Sequence, residues 1–256
     1  MARILITGSV GGLGLAAAQA LIADGHDVFG HARSAQRAAD LEAAGHRMAG
    51  VVVGDLSTRA GVESVAAQAN EAGRMDAVIH NAGIYLDPER IATPEGHCRV
   101  FATNVLAPYL LTALMHRPER LIYISSDMAA QGVESLADID WTQRRWDGVQ
   151  AYCDSKLQVA ALALGVARRW PSVYSNAVDP GWVPTRMGGP EASDDLSLGH
   201  VTQAWLAGGT GEDVRISGKF LYHQAVVPTA AAVSDAEFQD ALLTELETLT
   251  GVGLAP

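Results

Sequence analysis

Tyr152 and Lys156 stand four residues apart in Ala151-Tyr152-Cys153-Asp154-Ser155-Lys156, a spacing that puts both on one face of a helix. A phenol ordinarily loses its proton near pH 10, so it exchanges protons near neutrality only beside a cation. Lys156, one turn further on, brings that charge. Such a pair is frequent by chance and carries little weight alone. Cys153 points away from Tyr152 on a helix and reads as a packed thiol.

The second chemical feature is Thr7-Gly8-Ser9-Val10-Gly11-Gly12-Leu13-Gly14, which joins an apolar run to a helical stretch. Glycines there allow a tight turn and let backbone N–H groups approach a pyrophosphate, while the helix N-terminus adds partial positive charge. Position, more than composition, makes this a dinucleotide signal. Gly8, Gly12 and Gly14 fit one dinucleotide spacing; Gly8, Gly11 and Gly14 fit another. No Gly-Lys-Ser/Thr follows, which excludes a P-loop. The end of the next strand then selects the nicotinamide cofactor, because an acidic residue there would bond the ribose and repel a 2′-phosphate. Gly30-His31-Ala32-Arg33-Ser34 has no carboxylate. Arg33 can pair with a phosphate through charge-assisted hydrogen bonds and Ser34 can add another, so NADP(H) is favoured over NAD(H). The plainer reading of Arg33 is a solvated start to the following helix.

Positioning these groups requires strands that end beside one another. Short β-rich runs at Arg3–Thr7, Asp27–Ala32, Val51–Val53, Asp76–His80, Leu121–Ser125, Val173–Val178 and Phe220–Tyr222 alternate with helical stretches. Those stretches are Leu13–Asp24, Ala35–Ala44, Thr58–Ala72, Pro94–Met115, Val149–Trp170 and Asp235–Leu249. Strands separated by helices of this length predict βαβ crossovers. The expectation is a single α/β Rossmann-type, doubly wound domain over 1–256, with about seven parallel strands and helices on both faces. Trp182 to Leu198 is rich in Pro, Gly, Ser and Asp and reads as a substrate loop or lid, about 182–200.

Composition narrows the function classes. The chain has 256 residues, 29 acidic against 18 basic, for a formal net charge of −11. Apolar residues at 48% and charged residues at 18% fit a globular protein and exclude disorder. The acidic balance argues against a nucleic-acid or anionic-membrane partner. No apolar run approaches the ~18–20 residues that span a bilayer, and the glycine loop comes too early for a signal peptide. Two cysteines, Cys98 and Cys153, make neither a disulfide framework nor a four-cysteine zinc site. His31, His80 and His97 form no metal-binding pattern and read as local structural residues. A cytoplasmic protein without a metal is expected.

Together these residues resemble the short-chain dehydrogenase/reductase family, of the classical type, over nearly the whole chain. In order the sequence shows Thr7-Gly8 through Gly14, Asp55-Leu56, Asn81-Ala82-Gly83, Asn104, Ser125-Ser126, Tyr152 with Lys156, and Pro180-Gly181 followed by Val183 and Thr185. The resemblance implies that Tyr152 is the acid/base and that Ser126 polarises the substrate oxygen. It further implies that Lys156 lowers the phenol's pKa and contacts the nicotinamide ribose, and that Asn104 anchors a water on the proton path. It sets Asp55 against the adenine, Asn81 and Gly83 beside the cofactor and Thr185 near the carboxamide, with Leu56, Ala82, Pro180, Gly181 and Val183 also among the cofactor-binding residues. Plainer readings stand beside these: a helix bend for Asn104, a helix cap through Ser57 and Thr58 for Asp55, a turn for Thr185, and a structural hydroxyl for Ser125. The long gap between Ser126 and Tyr152, Pro180-Gly181-Trp182-Val183 and Ser217-Gly218-Lys219-Phe220-Leu221 resemble the retinol-dehydrogenase-like branch. No membrane-retinoid role is carried over, because the sequence shows no N-terminal anchor.

The activity this implies is reversible hydride transfer between NADPH and a small carbonyl/alcohol substrate. Two other readings stay open: an NADP(H)-sensing regulator without turnover, and a sugar-nucleotide epimerase or dehydratase. Tyr85, Trp141, Trp146, Trp182, Met187 and Trp205 are candidate pocket walls for a hydrophobic or ring-bearing molecule, with ordinary packing as the alternative for each tryptophan. The family implies pairing through the helix that carries Tyr152, as a homodimer or homotetramer. The run Ala160-Ala161-Leu162-Ala163-Leu164 suits such a contact or an ordinary core.

Overall fold

The computed structural model describes residues 1–255. Eight strands form one sheet in the order β3-β2-β1-β4-β5-β6-β7-β8. They are β1 (Arg3–Ile6), β2 (Asp27–Ala32), β3 (Gly50–Val53), β4 (Ala77–His80), β5 (Arg120–Ile124), β6 (Tyr174–Asp179), β7 (Phe220–Tyr222) and β8 (Ala225–Val226). Strands β1 to β7 pair in parallel, which needs crossovers on both faces and so buries the central strands on both sides. Ile4, Leu5 and Ile6 of β1 and Ala77, Val78 and Ile79 of β4 are accordingly fully or almost fully buried. The strand order reverses between β1 and β4, and the crevice at such a switch point is where ligands bind in open α/β sheets.

The eighth strand goes beyond the seven expected. It pairs antiparallel with β7 through Tyr222↔Ala225, and His223 and Gln224 form a two-residue loop with φ of 46° and 63°. Two left-handed residues suit a hairpin turn, but neither is the Gly or Asn that usually signals one. The strand is also too short to show alternation.

The helices are α1 (Gly12–Ala23), α2 (Ala35–Ala43), α3 (Arg59–Glu71), α4 (Arg99–Phe101), α5 (Ala107–Leu114), α6 (Gly148–Arg169), α7 (Val201–Gly208), α8 (Ala231–Ser234) and α9 (Ala236–Thr250). A π turn, Ala102–Leu106, joins α4 to α5. The helix expected from Pro94 starts later, at Arg99. Gly96 takes φ +90° there, and Ala92 and Cys98 close a local bridge. Helices α7 and α8 go beyond the expected set; both are short, and α7 follows directly on the irregular 182–200 segment.

Helix α6 places the Tyr152 side chain. Asp147 caps it by accepting from the N–H groups of Val149 and Gln150, each at 3.0 Å, and it ends before Pro171. Residues 151–166 are all buried. One face lies on β5 and β6; α8 and α9 cover another, with a Cβ at Gly165 only 3.3 Å from Leu243 Cδ1. The tail is tied down where the Tyr109 hydroxyl donates to the Val252 carbonyl at 2.6 Å and Trp170 Nε1 to the Ala255 carbonyl at 2.7 Å. Ala160–Leu164, one candidate pairing surface, is therefore core within this chain. Among the described residues no helix is long and apolar enough to cross a membrane.

Candidate active site

The glycine loop leaves β1 at the switch point and is held from below. Asn81 Nδ2 donates to the Thr7 carbonyl at 2.9 Å, and the Ala82 N–H donates to Thr7 Oγ1 at 2.9 Å. Gly8 takes φ +68°, and a Cβ there would lie 3.0 Å from Ala82 Cα. At Gly14 a Cβ would lie 2.6 Å from the Gly8 carbonyl oxygen, so the first turn of α1 packs directly on the loop. Gly11 faces open space, and α1 begins there without a side-chain cap. Its first N–H groups, at Gly12, Leu13 and Gly14, thus lack a side-chain partner, as an anion cradle requires. A dinucleotide fits this end of the sheet.

The other cofactor-side residues divide. Arg33 is exposed just past β2, and Ser34 caps α2 by accepting from the Arg37 N–H. Asp55 Oδ1 accepts from the Ser57 N–H at 2.9 Å and the Ser57 hydroxyl at 2.8 Å, whereas the cap of α3 is Thr58, which accepts from the Gly61 N–H at 3.1 Å. The Leu56 side chain is buried in the core and so offers any ligand only its main chain. Val183 is also buried, close to Leu13 across Gly199. Thr185 closes a turn, its Oγ1 accepting from the Gly188 N–H at 3.2 Å, and its methyl lies 4.0 Å from a Cβ built on Gly12. Segment 182–200 therefore borders the glycine loop. Gly181, after Pro180, takes φ +82° and donates its N–H to Asp179 Oδ1 at 2.9 Å.

Four polar side chains converge at the C-terminal ends of β4 and β5. The Tyr152 hydroxyl lies beside Ser126, whose Oγ donates to Asp127 Oδ1 at 3.0 Å. Lys156 Nζ donates to the Ile124 carbonyl at 2.8 Å and lies 5.3 Å from the Tyr152 ring centroid. Asn104 sits in the π turn, a helix irregularity frequent at functional sites. Its Oδ1 accepts from the Ile84 N–H at 2.9 Å, and its Nδ2 donates to the Ile84 carbonyl and to Ser155 Oγ, each at 3.0 Å. A Cβ on Gly83 would stand 3.4 Å from Asn104 Oδ1 and 3.7 Å from Lys156 Nζ. Ser125 donates to the Lys156 carbonyl at 2.8 Å, which gives it the structural part expected of it.

The electrostatics depart from expectation. Burial pushes the Tyr152 phenol up from its ordinary value, reinforced by the fields of Tyr85, Asp179 and Asp127, while Ser126 opposes the shift. Lys156 lies beside this phenol. Its ammonium is itself buried, and burial lowers its pKa to about 8 against the opposing field of Asp179. Asp179 is in turn pushed up by burial. This carboxylate, at the end of β6 just before Pro180-Gly181, is the site residue that sequence reasoning missed. Its signal was an acidic residue closing a buried strand.

Tyr85 meets the Tyr152 ring edge to face, with centroids 4.5 Å apart, and so does border the site. Trp182 and Met187 remain 54% and 42% exposed on the neighbouring loop, available to a ligand. Trp141 is buried between Trp146 and the Arg144 guanidinium, which stacks 3.5 Å above its ring. Trp205 packs against the core under α7 and donates Nε1 to Asp213. Ordinary packing accounts for both. Trp146 donates Nε1 to the Asp87 carbonyl at 3.0 Å. Cys153 is a buried thiol pushed up by burial. His80 stacks on Tyr123, and His97 Nδ1 bonds Asp140 at 2.6 Å.

The family model for short chain dehydrogenases matches residues 2–196. The chain belongs to the short-chain dehydrogenase family. It is an NAD(P)-dependent oxidoreductase acting on a small molecule. The short-chain dehydrogenase chyC of Penicillium rubens is 37% identical over 257 residues, covering 99% of this chain and 99% of its own. An uncharacterized protein of Mycobacterium paratuberculosis shares the fold at a TM-score of 0.86 and 23% identity, over 100% of this chain and 96% of that one. A blue fluorescent protein from a metagenomic library, solved in complex with NADPH, superposes at a TM-score of 0.67 with 25% identity, over 86% of this chain and 95% of that one.

Proposed function

We propose that this dehydrogenase interconverts a carbonyl and an alcohol with NADP(H), on an apolar or ring-bearing small molecule. The observation that carries the reading is the convergence of the Tyr152 and Ser126 hydroxyls with Lys156 and Asn104 beside the glycine loop. A bound nicotinamide supplies the hydride in reduction and takes it back in oxidation.

The remaining steps belong to the chain. Tyr152, with a raised pKa, keeps its proton at neutral pH and releases it to an oxygen that becomes an alkoxide, a far stronger base. Ser126 turns its hydroxyl from Asp127 to the same oxygen and stabilises the developing charge. Lys156 stays an ammonium below about pH 8 and replaces the lost proton's charge beside the ring. Asn104 fixes Ile84 and Ser155 around the lysine, and its π turn interrupts the regular helix ladder where a water would continue the proton path. Arg33 and Ser34, with no acidic residue beside them at the end of β2, support the 2′-phosphate preference. Tyr85, Trp182 and Met187 support an apolar substrate. Residues 1–256 act as one unit, with 182–200 as its substrate loop.

A panel of aldehydes, ketones and secondary alcohols, followed by the absorbance of reduced nicotinamide with NADPH/NADP⁺ and NADH/NAD⁺, tests all of this. Turnover of apolar carbonyls favouring NADPH is expected. Cofactor binding without turnover of any member would overturn the reading.

A further inference from the structure

We propose that a neutral His31 is the positioning residue that shapes the glycine loop for its dinucleotide, and that protonating the ring releases the loop and weakens dinucleotide binding. The inference deepens the dinucleotide reading above and rests on it.

His31 is buried on β2, one strand away from the loop it holds. Its Nδ1 lies 3.0 Å from the Gly8 nitrogen and its Nε2 lies 2.8 Å from the Gly54 carbonyl oxygen. The Gly8 N–H can only donate, so Nδ1 must present its lone pair. The Gly54 carbonyl can only accept, so Nε2 must carry the hydrogen. The two partners leave one tautomer and one charge state. The His31 main-chain N–H also donates to Ser9 Oγ at 2.8 Å. A single residue thus pins Gly8 and Ser9 of the loop to the end of β3.

A second ring proton would set a donor against the Gly8 N–H. The loop cannot turn that group aside in place, because Gly8 already backs onto Ala82 with its own φ at +68°. From the loop, the Gly8 N–H meets the ring and Ser9 Oγ meets the His31 main-chain N–H, and both are uncharged. From just past β3 come the Gly54 carbonyl and the Asp55 carboxylate, and Arg33, just past β2, is exposed. Burial disfavours the imidazolium and outweighs the Gly54 hydrogen bond and the field of Asp55, so the ring's pKa is lowered. The contrary expectation is plain electrostatics: an imidazolium beside a pyrophosphate should tighten binding.

The test titrates NADPH by fluorescence from pH 8 downward through the ring's own titration, followed by imidazole NMR, on the full chain and on His31→Asn and His31→Gln. An Asn oxygen can accept the Gly8 N–H but does not titrate. A Gln amide reaches Gly54 but leaves the Gly8 N–H without an acceptor. At pH 8 the Asn variant should bind within about threefold of the parent and the Gln variant roughly tenfold more weakly, the loss of one buried hydrogen bond. Below the ring's pKa the parent's Kd should rise by up to about tenfold per pH unit relative to the Asn variant, since titration of the 2′-phosphate is common to both. Equal Asn and Gln losses, parallel pH profiles for parent and Asn, or tighter binding by the parent in acid would each overturn the proposal. An imidazole nitrogen NMR spectrum of the free protein checks the tautomer separately, and a doubly protonated or Nδ1–H ring at pH 8 also overturns it. If the parent binds neither NADPH nor NADH, the functional reading fails, while the NMR result still decides how His31 holds Gly8.

Discussion

Replacing Tyr152 by Phe removes one oxygen and leaves its surroundings nearly intact. The ring keeps its edge-to-face packing on Tyr85 at 4.5 Å, and Lys156 keeps its bond to the Ile124 carbonyl. The phenol oxygen gives up at most one contact, with the neighbouring Ser126, and Ser126 retains Asp127 as acceptor. Stability should therefore change by no more than ~1 kcal/mol, the net worth of one hydrogen bond. Turnover is a different matter. Losing a positioned general acid costs roughly 10²- to 10⁴-fold, or ~3 to 5 kcal/mol of barrier. Steady-state turnover at saturating NADPH, NADPH affinity and urea denaturation should be measured on one preparation. The expected result is a rate lower by at least two orders of magnitude with affinity and midpoint unchanged. A variant that turned over at the parent rate would refute the assignment. One that lost its rate only because it unfolded would refute the structural premise.

Asn104→Ala removes three hydrogen bonds and strands the Ile84 main chain, so urea denaturation should show a loss of about 2–4 kcal/mol along with lost activity. His80, stacked on Tyr123 with its pKa lowered by burial to about 3, adds a pH dependence to stability. Above about pH 6.5 the ring is neutral both folded and unfolded. Between there and about 3 only the unfolded chain takes the proton, so stability falls by up to ~1.4 kcal/mol per pH unit as pH drops. Denaturation at pH 7.5 and 5 should show that fall in the parent and a smaller one in His80→Gln. Arg33→Ala should weaken NADPH roughly tenfold, as the loss of one charge-assisted hydrogen bond would, and leave NADH within about twofold. Equal losses for both cofactors would remove Arg33 from phosphate recognition.

The architecture was legible because its signals are local. Apolar strands ending at glycines, helices between them, and a Tyr–Lys step of one helical turn are all written within a few consecutive residues. The same locality explains the errors. The two-residue strand β8 has no period to read, and a bridge between Ala92 and Cys98 replaces the first turn of the helix expected from Pro94. Trp205 looked like a pocket wall only because its type was visible and its neighbours were not.

The chain's own residue order determined the glycine loop, the doubly wound sheet and the set Asn104, Ser126, Tyr152 and Lys156. Tertiary structure alone decided what those groups feel. The phenol is pushed up, with Asp179, distant in sequence, adding to the effect, and the tautomer of His31 is dictated by Gly8 and Gly54 at the ends of two other strands. Ala160–Leu164 became core because α8 and α9 return to cover it. Spacing along a chain fixes which side chains share a turn. Desolvation and hydrogen-bond partners depend on residues dozens of positions away, and no local pattern encodes them.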